Sequence, residues 1–532
     1  MASPRAGTMP RPSEEKMRTP RRSPSPVATG RAAAFASALS PTRTAAIAVA
    51  LALALGAPEI AGAARLDSER CATQQPRIEQ LLQNDRETCL QVASRRERRG
   101  LDGGFAACEE RALARWNGRM ERAGCDLGGG IDERAALAVG EPAEAWVELG
   151  GETRQVRYRV VNGVAIFEGD MILGTEDEVR AGDRRIRARL ASGLQTVQSH
   201  TRGDFGWSKN VVPFEISSSL SSTMESRIEQ AVAHWNENTI VRLQARNGEG
   251  DYVRFVPGDG CSSFVGKKGG KQEIELSSDC SVGNVIHEIG HAVGLYHEQN
   301  RSDRDDFIVV DFDNIDEDFH DQFEKGPWGS VNRGSFDFNS RMLYAPFNGF
   351  AIDEDEPTMT RLNGSTWTPN LTALSTGDIV GVTRMVTALD SAFTLKDKFR
   401  NKSADRCMDG ATDGSGAAVE VRNCTGAQRQ RWLLYTHPRT SRKLLINERS
   451  GMCLHVPNGS TTTGLDLVQI PCHGGTRQAF SFLERTFPWD PYKIRNVASG
   501  RCVALESTSN GGDVEQRTCG SSDQQKWFQE LF

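Results

Sequence analysis

Two hydrophobic periodicities alternate along this 532-residue chain. Ile78, Leu81, Leu82, Cys89 and Val92, and then Cys108, Ala112, Trp116 and Met120, recur at helical spacing, which predicts two helices folded back around Gly100 to Gly104. Residues 143–173 switch to strand alternation, as in Val156-Arg157-Tyr158-Arg159-Val160. The run Arg180, Arg184, Arg185, Arg187, Arg189 and Arg202 reads as a solvated linker that trypsin-like enzymes could cut. From Trp207 a compact domain is predicted, with strands over 211–216, 252–256 and 273–276 and a helix over about 224–238. After residue 386 come short strands in three similar units. Cys407, Cys453 and Cys502 open them, Cys424, Cys472 and Cys519 follow, and each closes on Gln-x-aromatic: Gln430-Arg431-Trp432, Gln478-Ala479-Phe480 and Gln525-Lys526-Trp527. Threefold repetition predicts a threefold fold.

The N-terminal pattern changes the picture of where the chain works. Basic residues precede an uninterrupted apolar run from Ala45 to Leu55, followed by Ala61, Gly62 and Ala63. This reads as a secretory signal with a long leading region, residues 1–63; the run is about half of the ~20 residues a membrane span needs. A secreted, extracellular protein with no stable membrane span is expected. The 64 Lys and Arg nearly balance 70 Asp and Glu, and a formal charge of −6 gathers no phosphates, which argues against a nucleic-acid partner. The 12 cysteines fall into even groups of 4, 2 and 6 along the chain, as local bridges would produce in an oxidising compartment. Cys71, Cys89, Cys108 and Cys125 allow three connectivities, and the sequence does not choose among them.

The chemistry concentrates in His287-Glu288-Ile289-Gly290-His291-Ala292-Val293-Gly294-Leu295-Tyr296-His297. Positions i and i+4 share a helix face, so His287 and His291 can aim at one metal ion. Gly294 can end the helix and let the chain double back to present His297. Three imidazoles leave a fourth position open, the mark of a catalytic zinc site. Glu288 lies beside the metal without binding it, placed to act as general base and then general acid in peptide hydrolysis. One Zn2+ per catalytic domain is expected, with protein or peptide substrates.

At these residues the sequence resembles the metzincin metalloproteases and, within them, the astacin family. The continuation His297-Glu298-Gln299-Asn300-Arg301-Ser302-Asp303-Arg304-Asp305 is similar to that family's signature, and Ser340-Arg341-Met342-Leu343-Tyr344 to its Met-turn; the likeness covers about residues 197–387. The resemblance implies that Met342 floors the site, that Tyr344 is a switchable fifth ligand that stabilises the tetrahedral intermediate, and that Cys261 and Cys280 are bridged. It also places Glu298 near the amino terminus created by maturation. The family's other disulfide is missing, with Val241 and Val386 near its positions, and Leu343 replaces a common histidine.

Phe167-Glu168-Gly169-Asp170 is similar to the FxGD motif of astacin pro-segments, which implies a zymogen whose Asp170 occupies the open zinc position. The tail resembles a ricin-type β-trefoil with one disulfide per unit, implying glycan or matrix binding; Asp409 with Gln430 is the pair to consider for a sugar. The expected organisation is a signal over 1–63 and an α+β pro-segment over 64–200, with a cysteine hairpin about 71–125 and strands about 143–175. An α+β metzincin (astacin-like) protease domain over 201–388 and an all-β trefoil over 389–532 follow. The runner-up function is an inactive, lectin-like binding protein; inactive relatives usually lose the glutamate or a histidine, and this chain keeps both.

Overall fold

The computed structural model describes residues 141–149, 152–191, 205–326, 330–391, 394–483, 487 and 489–532. The signal segment and the hairpin of Cys71, Cys89, Cys108 and Cys125 lie outside them.

The described part opens on a meander. Strands β1 (Glu141–Leu149) and β2 (Glu152–Val161) pair antiparallel, from Glu141 opposite Val160 to Leu149 opposite Glu152. Their alternation sends Ala145, Val156 and Tyr158 inward while Glu144, Gln155 and Arg157 face solvent. Asn162 (φ 48°) and Gly163 (φ 83°) make the two-residue turn into β3 (Val164–Phe167), since this hairpin turn needs positive φ at both centres. A three-residue tip, Glu168-Gly169-Asp170, then leads into β4 (Met171–Thr175).

Arg180, Arg184, Arg185, Arg187 and Arg189 of the run that reads as linker lie instead in a helix, α1 (Glu176–Ala191); Arg202 lies outside the described residues. Thr175 and Glu178 exchange side chain to backbone hydrogen bonds of 3.2 and 3.1 Å at its start, and Glu176, Asp177 and Glu178 complement the helix dipole. Val179 and Ile186, two turns apart, are buried, and the arginines project outward between them. The overturned expectation rested on charge alone; the sparse apolar stripe and the Thr-x-x-Glu start outweigh it.

The central domain continues the same sheet. Strands β5 (Val211–Ile216), β6 (Arg242–Ala245), β7 (Tyr252–Pro257), β8 (Cys261–Ser263) and β9 (Lys271–Leu276) extend it to the order β1-β2-β3-β4-β8-β9-β7-β5-β6. β5, β6, β7 and β9 are parallel neighbours, while β8 runs antiparallel to β9 and forms the edge that β4 joins, Met171 opposite Ser263. Helices α2 (Ser222–Asn238) and α3 (Val282–Val293) share a core with these strands, built on Ile228, Trp235, Phe255, Ile274 and Ile289. Two indoles pin α3: Trp235 Nε1 donates to Ile286 O at 3.0 Å and Trp207 Nε1 to Ala292 O at 2.9 Å. Cys261 and Cys280 are bridged, closing a loop that contributes about 3 kcal/mol in the chain-entropy model. Val241 and Val386 both pack into this core as aliphatic contacts. Beyond α3, the small pair β10 (Ile308–Val310) with β11 (Met359–Arg361) and an aromatic cluster of Phe323, Phe336, Tyr344, Phe350 and Trp367 carry the chain to α4 (Thr376–Val386).

The tail is an all-β body with three equivalent disulfides, Cys407–Cys424, Cys453–Cys472 and Cys502–Cys519. The Gln-x-aromatic signature has one job three times over. Gln430, Gln478 and Gln525 each accept from a backbone N–H (Thr425, His473, Gly520) and donate to a carbonyl (Asn423, Pro471, Thr518), fastening the loop that follows the second cysteine of each unit. Trp432, Phe480 and Trp527 fill the shared core below.

Candidate metal centre

Helix α3 begins with a capping box: Ser281 Oγ accepts from Asn284 N while the Asn284 side chain accepts from Ser281 N. It ends at Gly294, whose φ of 126° lets the chain turn back, its N–H bonding to Gly290 O and His291 O. His287 and His291 thereby share one face, and His297 returns to meet them; all three are buried. Gly290 makes room for the floor: a Cβ there would stand 2.8 Å from Met342 Sδ. Met342 is held by a turn whose Ser340 Oγ and Arg341 N both donate to Asp378, the acid in the capping box of α4.

The hairpin tip between β3 and β4 closes the cluster. Asp170 Oδ2 lies 3.2 Å from both His287 Nε2 and His297 Nε2, and Oδ1 lies 3.4 Å from His291 Nε2. One potential ligand atom from each of these four residues falls within 4.8 Å of the others. The outer ring nitrogens have partners of their own: His287 Nδ1 with Arg341 O at 3.0 Å, His291 Nδ1 with Leu295 O at 2.8 Å, and His297 Nδ1 facing Glu168 Oε2 at 3.6 Å. Oriented in this way, all three Nε2 atoms converge. His291 Nε2 and Asp170 Oδ1 are buried with no hydrogen-bond partner, and borderline nitrogen donors plus one carboxylate make a donor set suited to zinc. The residues fit the ion.

Electrostatics follow from burial and this crowding. Burial would raise the Asp170 carboxyl, but the imidazoles outweigh it and hold it well below the usual range. Glu288, two per cent exposed with Oε2 unpartnered, is pushed well up by burial and by Asp170, against Arg341. Glu168, fully buried, is likewise raised by burial, with His297 opposing. Tyr344 is not among the converging groups. Its hydroxyl donates to Glu168 O at 3.2 Å, and its ring packs 4.7 Å from that of His297. Leu343 and Phe350 border the cleft beside Asp170 and His287.

Sequence reasoning missed Glu168, treated only as the variable position of its motif, and Gly290 and Asp378, which set the floor. The first had a signal: a Gly-Asp pair two and three residues past a strand forms a tight tip, on which Glu168 and Asp170 fall two residues apart. The expected sugar pair is turned inward. Asp409 and Gln430 are fully buried and bonded to each other at 2.9 Å, with the exposed Arg429 placing Nε on the same carboxylate oxygen at 3.0 Å. Glu298 is enclosed too. It accepts from Asp337 N at 2.8 Å, lies 3.5 Å from Arg301 Nη1, borders a cavity of about 110 Å³ with Asp337 and Asp378, and is raised to about 8 by burial.

A helix carrying two of three convergent imidazoles, a glycine turn that returns the third, and a methionine beneath them define a metzincin-type peptidase domain. Residues 199–386 match the Astacin peptidase family, and residues 391–480 and 441–530 match the ricin-type beta-trefoil lectin domain. Protein SpAN of Strongylocentrotus purpuratus is 34% identical over 259 residues, 46% of this chain and 40% of that protein. Astacin-like metalloprotease toxin 1 of Loxosceles intermedia is 33% identical over 193 residues, 35% of this chain and 67% of the toxin. Among solved structures, High choriolytic enzyme 1, a hatching enzyme zinc-protease from Oryzias latipes, is 30% identical and covers 34% of this chain and 90% of its own, with a TM-score of 0.31. The chain belongs to the astacin family. It spans well under half the length of the sea-urchin relative. Among the described residues no helix is long and apolar enough to cross a membrane.

Proposed function

We propose that this chain is a secreted zinc metalloendopeptidase made as a zymogen, with residues 1–63 as signal, 64–200 as pro-segment, 201–388 as protease and 389–532 as an accessory trefoil that binds glycan or matrix. The convergence of Asp170 with His287, His291 and His297 carries the reading. The three histidines would hold one zinc ion, and the hairpin that presents Asp170 keeps the domain latent. Its backbone supports that role as well: Ser263 N donates to Asp170 O at 2.8 Å, so the inhibitory tip is docked on the edge strand beside the site.

When bound, zinc supplies Lewis acidity that polarises a scissile carbonyl and acidifies water. Glu288 takes the proton of the attacking water on Oε2 and returns it to the leaving amine, a task suited to a carboxylate whose affinity for protons is raised by burial. Tyr344 exchanges its bond to Glu168 O for one to the oxyanion once the hairpin leaves. Glu298 receives the ammonium created by the activating cut, because it shares its cavity with Asp337 and Asp378 and the guanidinium of Arg301 at 3.5 Å alone leaves an excess of negative charge there.

A casein digestion assay on trimmed protein tests the reading, with chelator and Glu288→Ala as controls. Digestion that survives either control overturns it.

A further inference from the structure

Each of the three imidazoles needs an outer partner to fix its ring, and the three partners differ in origin. His287 leans on Arg341 O and His291 on Leu295 O, both carbonyls of the protease domain. The outer nitrogen of His297 faces a side chain of the pro-segment, Glu168 Oε2 at 3.6 Å. Among the described residues His297 Nδ1 has no hydrogen-bond partner in the protease domain itself.

Glu168 is costly to keep there. It is fully buried, neither carboxylate oxygen is hydrogen-bonded, and its backbone holds a φ of 46°, which a residue with a side chain adopts only under constraint. The fold nevertheless enforces it: Gly169 at φ 80° tightens the tip, Tyr344 Oη donates to Glu168 O, and Met171 pairs with Ser263 on the edge strand. A hairpin tip places residues two apart on one side, so the turn that delivers Asp170 delivers Glu168 to the rear of the third imidazole. The group that most opposes the burial is the imidazole of His297, which this carboxylate faces, followed by the Asn300 side chain.

We propose that Glu168 is a positioning residue for the metal, the outer-sphere partner of His297, so that the pro-segment serves the zinc site twice, through Asp170 at the ion and through Glu168 behind a ligand. The inference rests on the reading of the three histidines as zinc ligands. Orienting carboxylates typically change metal affinity by about 10- to 100-fold. The zymogen is therefore the form that captures and keeps zinc, and the activating cut removes a metal-retaining device as well as a plug.

The test is zinc transfer from the full-length zymogen to a chromogenic chelator, for the parent, Glu168→Gln and Glu168→Leu. Release should quicken about 10- to 100-fold in Glu168→Leu and less in Glu168→Gln, whose amide oxygen still accepts a hydrogen bond from the imidazole N–H. Unchanged or slower release in both overturns the inference, because relieving a merely buried charge would tighten the hairpin. A parent that binds no stoichiometric zinc overturns the underlying reading instead. A second measurement needs no variant: in imidazole nitrogen-15 spectra of the zinc-loaded protein, processing takes Asp170 from all three rings and Glu168 from one, so one ligand Nδ1–H signal should move well beyond the other two. Three comparable shifts, or none, would count against Glu168 whether or not its variants fold.

Discussion

The sulfur of Met342 lies where a side chain on Gly290 would begin; a Cβ at that glycine would stand 2.8 Å from Sδ and 3.4 Å from Cε. The helix of His287 and His291 and the Met342 side chain beneath it lie this close because the intervening HExxH position is glycine. Gly290→Ala should therefore destabilise the protein, although alanine in a helix interior normally gains about 1 kcal/mol over glycine. Calorimetric melting should show a loss of about 1 to 3 kcal/mol, as overpacking gives, and the double variant Gly290→Ala with Met342→Ala should recover part of it. A single variant as stable as the parent would mean that the floor yields freely.

Asp170→Ala removes the plug while Ser263 N keeps its bond to the backbone of residue 170. The uncut chain should then digest a small fluorogenic peptide, to which the parent is inert. The variant chain should be slower on casein than trimmed protein, because the docked hairpin still fills the edge strand. An uncut variant as inactive as the parent would remove Asp170 from the account of latency.

Chelation should cost stability as well as activity. The imidazoles and Asp170 are buried together, so extracting zinc leaves a crowded polar cluster without its ion. At free zinc about 100-fold above Kd the linkage term is about 2.7 kcal/mol. The full chain should melt lower in excess chelator and recover on adding zinc; identical melting curves with and without metal would contradict a folded-state site.

Glu275 gives a pH dependence away from the metal. Burial, then Glu273 and Asp259, raise its carboxyl from 4.5 to about 7. The folded state thus holds this proton more tightly than the unfolded chain, so the destabilisation is absent below pH 4.5, grows as pH rises towards 7 and is complete above it. Glu275→Gln should stabilise by about 1 to 2 kcal/mol at about pH 8, allowing for solvent screening, and change little at about pH 4. A gain confined to acid pH has the wrong sign and would reject this cause.

The trefoil and protease domains share a small core, in which Leu433, Leu444 and Ile446 meet Ile240 and Val386. Asn210 Nδ2 donates to Tyr435 Oη at 2.7 Å and Arg384 Nη2 to Glu448 O at 3.2 Å across the same junction. Leu444→Ala should cost about 2 to 5 kcal/mol and broaden unfolding into two separable transitions. One sharp transition at the parent's temperature would show that the junction contributes little.

The histidine cluster was legible early because its spacing is local. His287, Glu288, His291, Gly294 and His297 lie within one helix and its turn, where helical geometry and a tolerance of positive φ fix their relations without the rest of the chain. The disulfide trios and the Gln-x-aromatic signatures were legible because a repeat states its own symmetry. The arginine run from Arg180 to Arg189 misled because charge says little about a helix whose apolar stripe, among the described side chains, is Val179 and Ile186.

The sequence by itself determined the donor set, the acid beside it and the threefold tail, all carried by short-range spacing. Only the tertiary structure decided that Glu168 stands behind His297, that Gly290 admits Met342, and that Asp409 faces inward. These are contacts between residues about 20 to more than 120 positions apart or between opposite faces of a turn, set by strand pairing on an edge and by close packing, for which no local pattern in the chain is a substitute.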